Sequence, residues 1–162
     1  MESTGSAEGL HFGLSTEVKM LRSQIDEFIR QEVEPIEEEY DHLRGQDAER
    51  NRATEDGHLV ADYLEARQRI RERSAEAGFF SMHMPERVGG GGLSTLEFCL
   101  VIEAIFDRNP DGFHDMMIDT VSLSPSIEPL YDDEALREDY FDPLLDGSKT
   151  MAVGLTEPEH GS

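Results

Sequence analysis

The residues able to do chemistry are scattered along this sequence, and most of their spacings fail the reaction they first suggest. Asp107, Asn109 and Asp111 alternate ahead of Gly112, which is how a calcium loop opens. The twelfth position of such a loop needs a bidentate glutamate and here is Ile118, with Pro110 inside the loop, so the segment reads as a polar helix–helix connection. Four glycines at 89–92 have no Gly-Lys-Ser/Thr behind them and no strand ahead, and Ser94 and Thr95 stand where a third dinucleotide glycine would fall. They read as a loop allowing close backbone packing. None of the six histidines pairs with another at i, i+3 or i, i+4, so no metal ligand is nominated. Cys99 is the single cysteine; it lies within LEFCLVIEAIF and reads as a small hydrophobe. Arg67, Arg69, Arg71 and Arg73 scatter around a helix with Glu65, Glu72 and Glu76 in reach, a solvated ion-paired face.

Charge limits the partners. The chain carries 36 acidic against 14 basic residues, a formal net charge of -22, and only Lys19 and Lys149 are lysines. Such a surface repels phosphates and anionic headgroups, which excludes nucleic acid and membrane as partners. It also strains the compact state unless salt screens it, so a salt-adapted, halophilic cytoplasm is expected. No apolar run approaches the roughly 20 residues of a membrane span, and the polar start MESTGSAEGL lacks the order of a secretory signal.

The elements that must position any site are helical. Residues 1–14 read as a disordered tail. Ser15 is an N-cap, and Val18, Leu21, Ile25, Phe28, Ile29, Val33, Ile36 and Tyr40 place one apolar stripe on a long helix that should kink or end near Pro35. Residues 43–57 read as a solvated connection. A second helix runs from Leu59 to a stop at Gly78. Ser94 and Glu97 form a capping box opening a third helix to about Phe106, apolar on nearly every side, so that burial within a bundle is expected. A helix is also expected within 111–131, and a short one capped by Asp132 or Asp133 to about Phe141. Thr150–Leu155, TMAVGL, is a β-like run with no upstream partner.

Three segments in order carry a resemblance. They are Ala77-Gly-Phe-Phe-Ser-Met-His-Met-Pro-Glu-Arg-Val-Gly-Gly-Gly-Gly-Leu-Ser, then Tyr140-Phe-Asp-Pro-Leu-Leu-Asp-Gly-Ser-Lys, then Leu155-Thr-Glu-Pro-Glu-His-Gly-Ser162. Together they resemble the acyl-CoA dehydrogenase family from about residue 15 to Ser162. The resemblance implies an all-α fold: the family's N-terminal helical bundle over 15–149, followed at 150–162 by the first strand and flavin-binding segment of a middle β-barrel domain, the chain being an N-terminal fragment.

It also implies FAD lying along 153–162. Val153 and Leu155 would line the cofactor, Thr156 would hydrogen-bond the flavin ring, Gly161 would allow close approach, and Ser162 would meet the cofactor or the acyl-CoA. Ile118, Thr120, Val121 and Leu123 are the substrate-pocket candidates. The implied reaction is α,β-dehydrogenation of an acyl-CoA thioester, with an electron-transfer flavoprotein as partner and a homo-oligomer as the complete form. The family's catalytic glutamate lies in a C-terminal bundle, so no residue here is nominated as catalytic. The alternative expectation is a non-catalytic relic or interaction module that keeps only the helical domain.

Overall fold

A computed structural model describes residues 15–45, 48–108, 112–118 and 123–152. Helix α1, Thr16–Phe28, begins where Ser15 accepts a hydrogen bond from the Val18 amide at 3.2 Å, with Glu17 favouring the helix N-terminus. The predicted stripe is real: Val18, Ile25, Phe28, Ile29, Val33, Ile36 and Tyr40 are buried.

Pro35 neither ends nor interrupts the helix. A π-turn at Ile29–Val33 precedes it, the Glu34 amide reaching back to the Ile29 carbonyl, and α2 continues over Glu34–Glu39. The wider turn makes room for a ring that would otherwise press on the carbonyl four residues back. The chain repeats this device. Helix α6, Glu134–Leu136, runs through a π-turn at Arg137–Phe141, the Asp142 amide bonds the Arg137 carbonyl, and α7 is Asp142–Leu145 with Pro143 in its first turn. Lys149 Nζ donates to the Asp139 carbonyl at 2.8 Å, the acceptor an α-helical N–H at position 143 would have filled.

The connection 43–57 is more ordered than its polarity predicts. Leu43 is buried, α3 forms at Ala48–Arg52, and Ala53 bridges to Leu59. Arg52 holds it down: its Nε donates to the Leu43 carbonyl at 2.8 Å, and its guanidinium lies 5.1 Å from the ring centres of both Tyr63 and Phe113. Helix α4, Ala61–Glu76, buries Tyr63, Ala66, Ile70 and Ser74, and Gly78 ends it at φ +79° as predicted.

The glycine run is a close-packing device. A Cβ on Gly90 would sit 2.1 Å from the Met84 carbonyl oxygen, and one on Gly91 2.7 Å from that of Met82. The amides of Gly91, Gly92 and Leu93 bond back to Ser81, Met84 and Met82, so the loop is wound upon itself. Helix α5, Thr95–Arg108, then opens on the predicted capping box: Ser94 N donates to Glu97 Oε2 at 2.9 Å, and Glu97 N to Ser94 Oγ at 3.3 Å.

Two further expectations are corrected. Helix α5 is not buried on all sides: Val101 and Ile105 are, whereas Leu96 is 63% exposed, Phe106 47% exposed, and Cys99 open. Helix α1 and the His114–Met117 turn pack against α5. Within 111–131 the described residues form 3-10 turns, His114–Met117 and Pro125–Asp132, rather than an α-helix. Ser124 and Pro125 start the second turn, and Pro129 inside it removes a further amide donor. Asp133 caps α6 as expected, accepting from Ala135 and Leu136.

The fold is all-α among the described residues. Its main core joins α1, α2, α4, α5 and the 113–118 segment. A smaller core gathers Phe80, Met84, Val88, Leu123, Ile127, Phe141 and Leu144. Of the predicted β-run, 150–152 have no regular structure and the remainder lies outside the described residues.

Candidate functional site

The exposed side of α5 borders a cavity of about 670 Å³, within the range of small-ligand sites. Phe98, Cys99, Ile102, Glu103, Ile105 and Phe106 line it from α5; Arg67 and Arg71 from α4; and His114, Asp115, Met116 and Ile118 from the turn between them.

That turn is held from two helices. Glu37, an acid inside the apolar stripe of the first helix, is buried and accepts from the Phe113 amide at 2.6 Å. Its Oε1 is also 2.9 Å from His114 Nδ1, a close ion-pair distance without the alignment of a hydrogen bond. Arg44 approaches the other oxygen at 3.6 Å. Burial alone would raise the Glu37 carboxyl. The His114 contact, the Phe113 N–H and the charges of His114 and Arg44 outweigh it and hold the group below its ordinary value. From α4, Ser74 Oγ donates to the Met117 carbonyl at 2.7 Å.

Two arginines of α4 meet carboxylates of another helix rather than the acids of their own that the sequence offers. Arg69 bonds Glu39 at 2.8 Å and Arg73 approaches Glu32 at 3.6 Å, both on the neighbouring helix. Arg71 donates to Gln68 at 2.6 Å. Arg67 lies 5.6 Å from the Tyr63 ring centre and finds no hydrogen-bond acceptor among the described residues. Asp115 keeps an exposed side chain in a crowded rim. Desolvation there raises its carboxyl above its ordinary value, against the opposing charges of Arg67 and Arg52.

Of the substrate-pocket candidates, Ile118 lines the cavity. Leu123 does not line it; its fully buried side chain belongs to the smaller core with Phe80 and Phe141. Thr120, Val121 and the whole flavin segment, with Val153, Leu155, Thr156, Gly161 and Ser162, lie outside the described residues. Reading the sequence for site residues missed Glu37, His114 and Arg67. Only Glu37 left a signal, as a carboxylate four residues after Val33 on the buried stripe.

Comparison with known proteins agrees with the helical arrangement. The pattern described as "Acyl-CoA dehydrogenase, N-terminal domain" matches residues 15–148. The chain is 27% identical to a 3-(aryl)acrylate reductase of Clostridium sporogenes over 89% of its own length and 33% of the relative's. It is 34% identical to benzylmalonyl-CoA dehydrogenase of Aromatoleum aromaticum over 54% of the chain and 23% of that enzyme. To the mitochondrial isobutyryl-CoA dehydrogenase of Dictyostelium discoideum it is 27% identical over 93% of the chain and 31% of the relative. The chain thus spans about a third of the length of the first and third of these relatives and about a quarter of the second. No solved structure gives a significant match. No helix among the described residues is long and apolar enough to cross a membrane. The chain belongs to the acyl-CoA dehydrogenase family and carries that family's N-terminal helical domain.

Proposed function

We propose that the protein carrying this domain is an FAD-dependent oxidoreductase that dehydrogenates an acyl-CoA thioester between its α and β carbons. The observation that carries this reading is the family match over nearly the whole helical domain. The relatives' names support it, since they describe a reductase of arylacrylates and dehydrogenases of benzylmalonyl-CoA and isobutyryl-CoA.

The donor set at the chain's end suits FAD. Thr156 and Ser162 offer hydroxyls, Gly161 admits close backbone approach, and Val153 and Leu155 add apolar contact for a ring edge rich in carbonyls. When bound, the flavin supplies the acceptor for the β-hydride. In this reading residues 15–149 are the helical domain and 150–162 enter the β domain. Ser162 meets cofactor or thioester, while Ile118, Thr120, Val121 and Leu123 contribute to the acyl site. The family resemblance assigns α-proton removal to a glutamate of the C-terminal bundle and reoxidation to an electron-transfer flavoprotein, with the working form a homo-oligomer.

The test is anaerobic titration of the FAD-loaded protein with straight, branched and aryl acyl-CoA thioesters. Bleaching of the oxidised flavin band by at least one of them is the expected outcome. A flavin-loaded protein that none of them reduces would favour the non-catalytic relic instead.

A further inference from the structure

The four cations of α4 are treated differently by a chain with acids to spare. Arg69 and Arg73 face glutamates of the first helix, as Arg87 faces Glu128 and Asp132, and Arg108 faces Asp26 and Glu34. Arg67 has no carboxylate within ion-pair distance and no hydrogen-bond acceptor among the described residues, although the sequence holds 36 acids. It lines the cavity, partly buried. The nearby charges leave it available: Arg71 is engaged by Gln68, Glu103 is exposed, and Asp115 acts on Arg67 without coming within ion-pair distance. The rest of the lining, chiefly Phe98, Ile102, Ile105, Phe106 and Ile118, is apolar.

We propose that this cavity binds a small organic acid with a ring-sized apolar body, its carboxylate held by Arg67 and its body against Phe98, Phe106 and Ile118. A guanidinium offers a carboxylate two parallel N–H bonds, which a neutral amide cannot match in strength. The cavity shares Ile118 with the acyl site of the dehydrogenase reading, but binding here needs neither flavin nor a thioester, so failure of the one is read separately from failure of the other.

Cys99 supplies the measurement. It is the only cysteine, it is exposed, and it lines the same cavity, so an occupant must slow its alkylation. The 162-residue chain is treated with N-ethylmaleimide in the presence of increasing 4-phenylbutyrate or 4-phenylbutanamide. The acid should protect Cys99 saturably, and the amide should need roughly 10- to 100-fold more for equal protection. R67Q should erase that difference and R67K should keep part of it, circular dichroism confirming that each variant is helical. Absence of protection by the acid, equal protection by acid and amide, or an R67Q chain that behaves like the parent would each overturn the proposal. The acid–amide comparison in the unaltered chain needs no variant, so a misfolded R67Q leaves the test standing.

Discussion

Glu37 Oε1 and His114 Nδ1 lie 2.9 Å apart with both side chains only 2% exposed, joining α2 to the turn that forms one wall of the cavity. The same oxygen accepts from the Phe113 amide, 76 positions along the chain, so this carboxylate ties the two segments together at two adjacent residues. Removing one partner of such a buried set leaves the other groups desolvated, a larger cost than losing an exposed ion pair.

The depressed Glu37 carboxyl makes this tie pH-dependent. Its contribution is fully present above the ordinary value of 4.5 and is lost as pH falls through the lower folded-state value. Acidification also relieves the repulsion of a net charge of -22, which acts in the opposite direction, so the informative quantity is a difference. Glu37→Gln should cost about 1–3 kcal/mol at pH 7. The gap to the parent should narrow as pH drops below 4.5. Urea unfolding at several pH values checks this. A gap constant down to the acid limit would mean the carboxylate is not the group responsible.

Glycines 78 and 90 should respond very differently to the same methyl. At Gly78 nothing lies within 4 Å of an added Cβ, and only the positive φ of +79° opposes it. Gly78→Ala should therefore cost about 1–2 kcal/mol. At Gly90 the Cβ would stand 2.1 Å from backbone oxygen, so the wound loop must open, costing about 3 kcal/mol or more. Thermal melts of the two variants decide the order.

Local chemistry was legible where it was written in neighbouring residues. Ser15, Gly78, Asp133 and the Ser94–Glu97 box each act as their spacing predicts, because a cap needs only a few consecutive positions. The effect of Pro35 was misjudged for the opposite reason. The π-turn that accommodates proline has no composition of its own that separates it from an ordinary helix, and it recurs before Pro143. The 43–57 segment looked solvated because polarity hides what Arg52 does: its charge is satisfied by aromatic faces and a carbonyl that folding brings together. The cavity was missed because its Arg67, His114 and Phe106 come from three separate elements. The greasiness of α5 suggested burial, but an apolar helix equally marks a face that borders a site.

Salt should govern the domain's stability as a whole. The Debye length grows from about 3 Å at 1 M to about 30 Å at 0.01 M, so repulsion among 36 acids reaches across the whole bundle in dilute buffer. Helical circular dichroism should fall on dialysis from high to low salt and recover when salt is restored. A melting temperature independent of salt across that range would show that the acidity is not a salt adaptation.

The last prediction tests the flavin segment in the FAD-loaded protein. Thr156→Val keeps the side chain's shape and removes its hydroxyl, so a bond to the flavin ring would be lost and its buried partner left unsatisfied, at about 1–3 kcal/mol. FAD should then bind roughly 5- to 150-fold more weakly. Glu159→Gly removes a negative charge from the same segment and should leave affinity unchanged or raise it, since cofactor phosphates are anionic. Fluorescence titration of FAD against both variants separates the outcomes. Unchanged affinity in Thr156→Val together with lost affinity in Glu159→Gly would place the cofactor somewhere other than along residues 153–162.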